Sequence, residues 1–103
     1  MIYLLATVVV APGKVGEFSQ FLGNRFIPYF EKHGARLIGS WVTTIGRRDE
    51  VTDVWAFKNL AHYEEVMQTI KADKEFAPLR ETVCSLTLEE TTKIVSPLPC
   101  SPQ

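Results

Sequence analysis

The sequence predicts a single α+β domain, ordered β-α-β-β-α-β, with two helices covering one face of a four-stranded antiparallel sheet. Three observations predict it. Four segments rich in branched and aromatic residues are interleaved with two of helical periodicity. Gly, Pro or Asn punctuates the junctions between them. A chain of 103 residues holds one core and no more.

The first strand covers Ile2 to Val10 and is stopped by Pro12-Gly13. It lacks a basic leader and is too short to span a bilayer, so it predicts neither a signal peptide nor a membrane anchor. The first helix starts near Lys14 and carries Val15, Phe18, Leu22 and Phe26 at helical spacing, with Phe21 widening the stripe. Pro28, without an N–H, should interrupt it near Phe26-Ile27. Tyr29 to His33 then adds about one turn, and Gly34 follows as a cap. The second strand is expected from Arg36 to Thr44, a turn at Ile45 to Asp49, and the third strand from Glu50 to Phe57. Asn59 is a cap for the second helix, whose apolar face shows Tyr63, Val66, Met67 and Ile70. Asp73 to Glu81 reads as a short extra helical turn with Phe76 and Leu79, and Thr82 to Val95 as the fourth strand. The domain therefore occupies residues 1–95. Residues 96–103 form a Pro-rich tail whose three prolines keep it out of a ladder.

This order is the split βαβ, or ferredoxin-like, arrangement, with both helices on one face. Along the first strand the two faces read Leu4, Ala6, Val8 and Tyr3, Leu5, Thr7, Val9. Neither is polar, whereas a sheet half in water should alternate. A second copy presenting the same face would cover it, which predicts a homodimer with a cavity between two sheets.

Composition narrows the functional classes. With 46% hydrophobic and 22% charged residues the chain is an ordinary globular one. Eleven basic and twelve acidic residues give a net charge of -1 without a basic stripe, which argues against nucleic acid as a partner. The two histidines and two cysteines lack metal-site spacing, so neither metal nor haem is expected. Two cysteines do not make a disulfide framework, and a cytoplasmic location follows. Cys84 reads as a small core hydrophobe in a strand.

The chain resembles the NIPSNAP-like branch of the dimeric α/β-barrel superfamily. The resemblance rests on Pro12-Gly13-Lys14 with Glu17-Phe18, then Pro28, then Gly34 leading into Leu37-Ile38-Gly39-Ser40-Trp41. It continues through Gly46, Val51-Thr52-Asp53-Val54-Trp55-Ala56-Phe57, Leu60-Ala61, and Asp73 with Phe76. It implies a ferredoxin-like homodimer with two sheets facing each other across a cavity. Superfamily activities range from cofactor-free monooxygenases, cyclases and lactone isomerases to haem enzymes, and the fold does not choose among them. Typical members carry Glu, Arg and Tyr where this chain has Leu4, Ala6 and Val8, and His or Gln in place of Asp53. By this departure from the family pattern a polar cavity becomes an apolar one with a single carboxyl group, which counts against any family-wide role built on the missing groups.

Alternation puts Val51, Asp53, Trp55 and Phe57 on one face of the third strand and Thr52, Val54 and Ala56 on the other. The small aliphatic set suits packing beneath helices, and the larger set suits the wall of the dimer cavity. Family registration adds Leu4, Ala6 and Val8 to that wall. A carboxyl group there would be poorly solvated and suited to acid–base work; otherwise Asp53 pairs with an arginine or a hydroxyl such as Thr43. By that reading, an Asp53 pointing beneath the helices would remove the catalytic role. His33 is a second acid–base candidate at the cavity mouth, or else a cation at a helix C-terminus. Trp55 and Trp41, expected as neighbours across the hairpin, either wall a flat ligand or fill the core. Tyr29 is a candidate donor to a ligand or a packing residue, and Arg80 a contact for an anionic group or a surface ion pair.

Together these readings predict a small cofactor-independent enzyme acting on an apolar aromatic or polycyclic compound by acid–base isomerisation or cyclisation. A cofactor-free oxygenation of a phenol and a non-enzymatic carrier of an apolar molecule are its rivals.

Overall fold

A computed structural model describes residues Met1–Gln103. Strand β1 (Ile2–Val10) leads into a helical segment of three parts: α1 (Val15–Phe21), a π-helical turn (Leu22–Phe26) and α2 (Ile27–Lys32). Strands β2 (Arg36–Val42) and β3 (Glu50–Phe57) form a hairpin, α3 (Leu60–Lys71) and α4 (Phe76–Leu86) follow, and β4 (Thr87–Val95) closes the sheet. The sheet is antiparallel throughout, in the order β2-β3-β1-β4. This is the α+β ferredoxin-like fold.

Pro28 does not break the first helix. The turn before it widens instead, so that the Ile27 N–H bonds the Leu22 carbonyl five residues back and the ladder passes the position that has no N–H. Asn59 caps α3 as its side chain predicts, accepting from the His62 N–H at 2.9 Å. Gly46, at φ 132°, takes the left-handed conformation that the hairpin connection needs.

Two expectations are corrected. Thr82 to Leu86, expected to begin the last strand, belongs to an 11-residue helix, α4. Leu79, Val83 and Leu86 supply its buried stripe, and helical packing of that stripe overrides the strand propensity of Thr-Val-Cys. Cys84 is accordingly an exposed helix residue and not a core one. The second correction concerns the faces. Val8, Val51, Trp55 and Phe57 lie in the core cluster with Phe18, Phe30 and Ile70 of the helices. The bulky set of β3 therefore faces the helices, and Thr52, Val54 and Ala56 face the open side. Size decides it: helices standing off a twisted sheet leave a gap that indole and phenyl rings fill, whereas small residues do not.

The C-terminal tail lies over part of the open face, where Pro97, Leu98 and Cys100 share a groove with Tyr3, Leu5, Ile38 and Val54. Trp41 also lies on this side, 56% exposed. Its ring occupies the space above Gly39 that a side chain would need.

Candidate functional site

The helices leave a cavity over the centre of the sheet. It encloses about 130 Å³. Its floor is Leu4, Ala6 and Val8 from β1 with Asp53, Trp55 and Phe57 from β3. Its roof is Phe18, Leu22, Phe26 and Phe30, spaced by four along the first helical segment, with Met67, Phe76 and Val83 beyond. Ala6 lies directly opposite Asp53 on one side and Thr92 on the other, so a small residue opens the floor beside the carboxyl group. Three lining residues are exposed, Arg80, Glu90 and Thr92. They come from α4 and β4, and the cavity opens between those elements. Arg80 Nη1 and Glu90 Oε1 lie 3.3 Å apart there.

Asp53 is the one polar residue of the buried set, 6% exposed. No lysine, arginine or histidine pairs with it. Its hydrogen-bond partner is Ser40, whose hydroxyl donates to Oδ1. Burial raises its pKa above the ordinary carboxylate value; the Ser40 hydrogen bond opposes the shift and the nearby Glu90 charge adds to it. Thr43, the hydroxyl expected for this role, reaches towards Glu50 instead. Ser40 is selected by an irregularity in β2. Leu37 pairs with Trp55, but Gly39 pairs with Val54 and Ser40 with Asp53. The extra residue, Ile38, turns Ser40 rather than Gly39 towards the carboxyl group. No hydropathy pattern announces such a bulge.

The structure thus brings together Asp53, Trp55, Leu4, Ala6 and Val8, and adds Arg80 at the mouth. It places them between one sheet and its own helices, and not between two sheets as expected. Asp53 thus takes the placement beneath the helices that was expected to remove its catalytic role; the layer is hollow at this point, and the carboxyl group lines the hollow. Trp41 is corrected: it pairs with Thr52 on the open face, whereas Trp55 pairs with Leu37 under the helices, so the two indoles are not neighbours across the hairpin and share no wall.

Tyr29 and His33 form a separate cluster with Asp73. The Tyr29 hydroxyl donates to Asp73 Oδ2 at 2.8 Å, His33 Nε2 lies 3.5 Å from the same oxygen, and the Glu75 N–H donates to Oδ1 at 3.0 Å. Asp73 is held below the ordinary carboxylate value, first by the Glu75 N–H and then by Tyr29. Burial, followed by the Asp73 carboxylate, pushes the Tyr29 phenol far above its usual range. Neither Tyr29 nor His33 lines the cavity that holds Asp53. Their shared work is to tie α2 to the loop between α3 and α4.

Known relatives agree with the architecture. A NIPSNAP domain protein of Burkholderia xenovorans, itself uncharacterised, superposes with a TM-score of 0.91 at 20% identity, covering 100% of both chains. A NIPSNAP family protein of unknown function from Agrobacterium tumefaciens gives 0.90 at 24% identity, over 99% of this chain and 92% of that one. A Nitrosomonas europaea protein, provisionally named an antibiotic biosynthesis monooxygenase, gives 0.72 at 14% identity, over 95% and 99%. These likenesses show the shared fold. No curated protein matches the chain. The NIPSNAP sequence profile matches residues 3–102, nearly the whole length, and the chain belongs to the NIPSNAP family.

Proposed function

We propose that this protein is a cofactor-independent enzyme in which Asp53 moves a proton on a small apolar aromatic compound bearing a carbonyl group, in an isomerisation or cyclisation. One observation carries the reading: a buried carboxyl group without a counter-charge lines an apolar cavity that opens to solvent. Burial holds this acid above the ordinary carboxylate range, the direction in which a carboxyl group gains basicity for proton transfer. The enclosed volume of about 130 Å³ is close to that of apolar cavities, about 150 Å³, that accept benzene. A single ring fits inside, and a larger ligand would project between Arg80 and Thr92.

The test uses phenylacetone as a probe and follows deuterium uptake at its benzylic carbon in D2O by NMR. The wild-type protein should accelerate uptake, and Asp53→Asn should lose at least about 100-fold of that acceleration while quenching of tryptophan fluorescence still reports binding. Binding without acceleration in either protein would favour a carrier. The second reading is a cofactor-free oxygenation of a phenol, recognised by oxygen consumption; a Nitrosomonas europaea protein that shares the fold is provisionally named a monooxygenase.

The working unit in this proposal is a homodimer joined through the open sheet face, as in the dimeric arrangement that the chain resembles. Exposed Trp41 and Ile38 on that face support it. Sedimentation at micromolar concentration should show a dimer, and a stable monomer would refute this assembly. No helix is long and apolar enough to cross a membrane. With both cysteines unpaired, a cytoplasmic site of action completes the proposal.

A further inference from the structure

Asp53 has two environments, one for each side of its carboxyl group. On one side lies the cavity, entered between α4 and β4. On the other lies Ser40, on edge strand β2 at the opposite margin of the sheet. Ser40 is exposed to solvent although its partner is buried. Ser40 therefore lies between Asp53 and the solvent at the β2 edge, away from the cavity mouth. The bulge at Ile38 is what brings it there, since an unbroken ladder would set Gly39 opposite Asp53 and leave the carboxyl group without a donor.

We propose that Ser40 is the positioning and proton-carrying partner of Asp53. It holds Oδ1 at the β2 edge, leaves Oδ2 to the ligand, and restores the carboxyl proton from solvent while the cavity is occupied. The inference rests on the acid–base reading of Asp53 and adds the route of its proton. In the forward direction Asp53 gives its proton to the ligand and becomes a carboxylate. The Ser40 hydroxyl proton then passes to Oδ1 as a water molecule at the edge delivers one to Oγ, so the serine ends neutral and hydroxide leaves to solvent; a half-turn of the carboxyl group brings the protonated oxygen to the cavity side and the bare one back to Ser40. Proton abstraction from a ligand runs the same relay outward. The other charged groups lining the cavity are Arg80 on α4 and Glu90 on β4, paired with each other. The first helical segment and α3 present apolar side chains to it, so no second titratable group on them substitutes for Ser40.

Two measurements test this on the full chain. The first is titration of the Asp53 carboxyl carbon by NMR, without ligand, in the wild type, Ser40→Ala and Ser40→Thr. Loss of the hydroxyl should move the Asp53 midpoint upward, and threonine should restore it; a Ser40→Ala midpoint equal to the wild type overturns the positioning role. The second is deuterium uptake by phenylacetone. Ser40→Ala should lower kcat about tenfold with KM unchanged, and threonine should rescue it; wild-type turnover in Ser40→Ala overturns the proton-carrying role. The underlying reading fails separately, if Asp53→Asn keeps wild-type uptake whatever the titrations show.

Discussion

Asp53 and Asp73 are the same side chain put to opposite uses. Asp73 sits where its side chain keeps 26% exposure, and it accepts from a phenol and a backbone N–H with an imidazole close by. Asp53 is nearly sealed and accepts from one serine. Donors favour the ionised form, whereas burial without them disfavours it. The comparison teaches that a carboxylate surrounded by donors works as a staple, and a buried one left with a single donor retains the capacity to exchange a proton.

The contrast can be broken by stability measurements against pH. For Asp53 the folded pKa lies above the unfolded one. As pH rises past the ordinary carboxylate value the unfolded chain ionises first, and the fold loses stability until the folded value is passed. Asp53→Asn should therefore gain on the wild type as pH rises, by about 5 °C in thermal midpoint at neutral pH, and show no such gain in strong acid. For Asp73 the folded value is lowered, so its stabilisation is full above the ordinary value and is lost as pH falls towards the folded one. Asp73→Asn should be less stable than the wild type at neutral pH, with the deficit shrinking in acid. Parallel slopes for the two variants would end the comparison. A smaller effect sharpens it: Tyr29→Phe removes one donor, should let Asp73 titrate closer to the ordinary range, and should lower the thermal midpoint by roughly 4 °C.

Much of this architecture is legible in the chain. Runs rich in branched and aromatic residues identify β1 and β3, Asn59 marks the start of α3, and Gly46 marks the hairpin. What escapes is whatever depends on a choice between two apolar alternatives. Alternation sorts β3 into two faces but does not say which lies under helices when neither is polar. That single ambiguity leaves the compartment of Asp53 and Trp55 open while keeping them with Leu4, Ala6 and Val8. The stretch Thr82 to Leu86 satisfies both periods, and only the continuation through Phe76 and Leu79 favours the helix. Ser40 is hidden for a different reason, because a one-residue bulge changes a partner without changing any hydropathy. Trp41 follows from an unbroken hairpin ladder and Tyr29 from its hydroxyl, and the fold sets Trp41 on the open face and Tyr29 beside Asp73.

The widened turn at Leu22–Phe26 has a consequence for how this wall can change length. Residues four apart on an ordinary α-helix drift by about 40° per step, so Phe18 and Phe30 would diverge by roughly 120°. Slack winding in the middle absorbs part of that drift and keeps Phe18, Leu22, Phe26 and Phe30 aimed into one space. Removing a single residue there would rotate everything downstream by about 100°, carrying Phe30 out of the roof and Tyr29 away from Asp73 together. The shape of the chamber and the fastening of its lining are thus geared to one another, and neither can drift in sequence length alone.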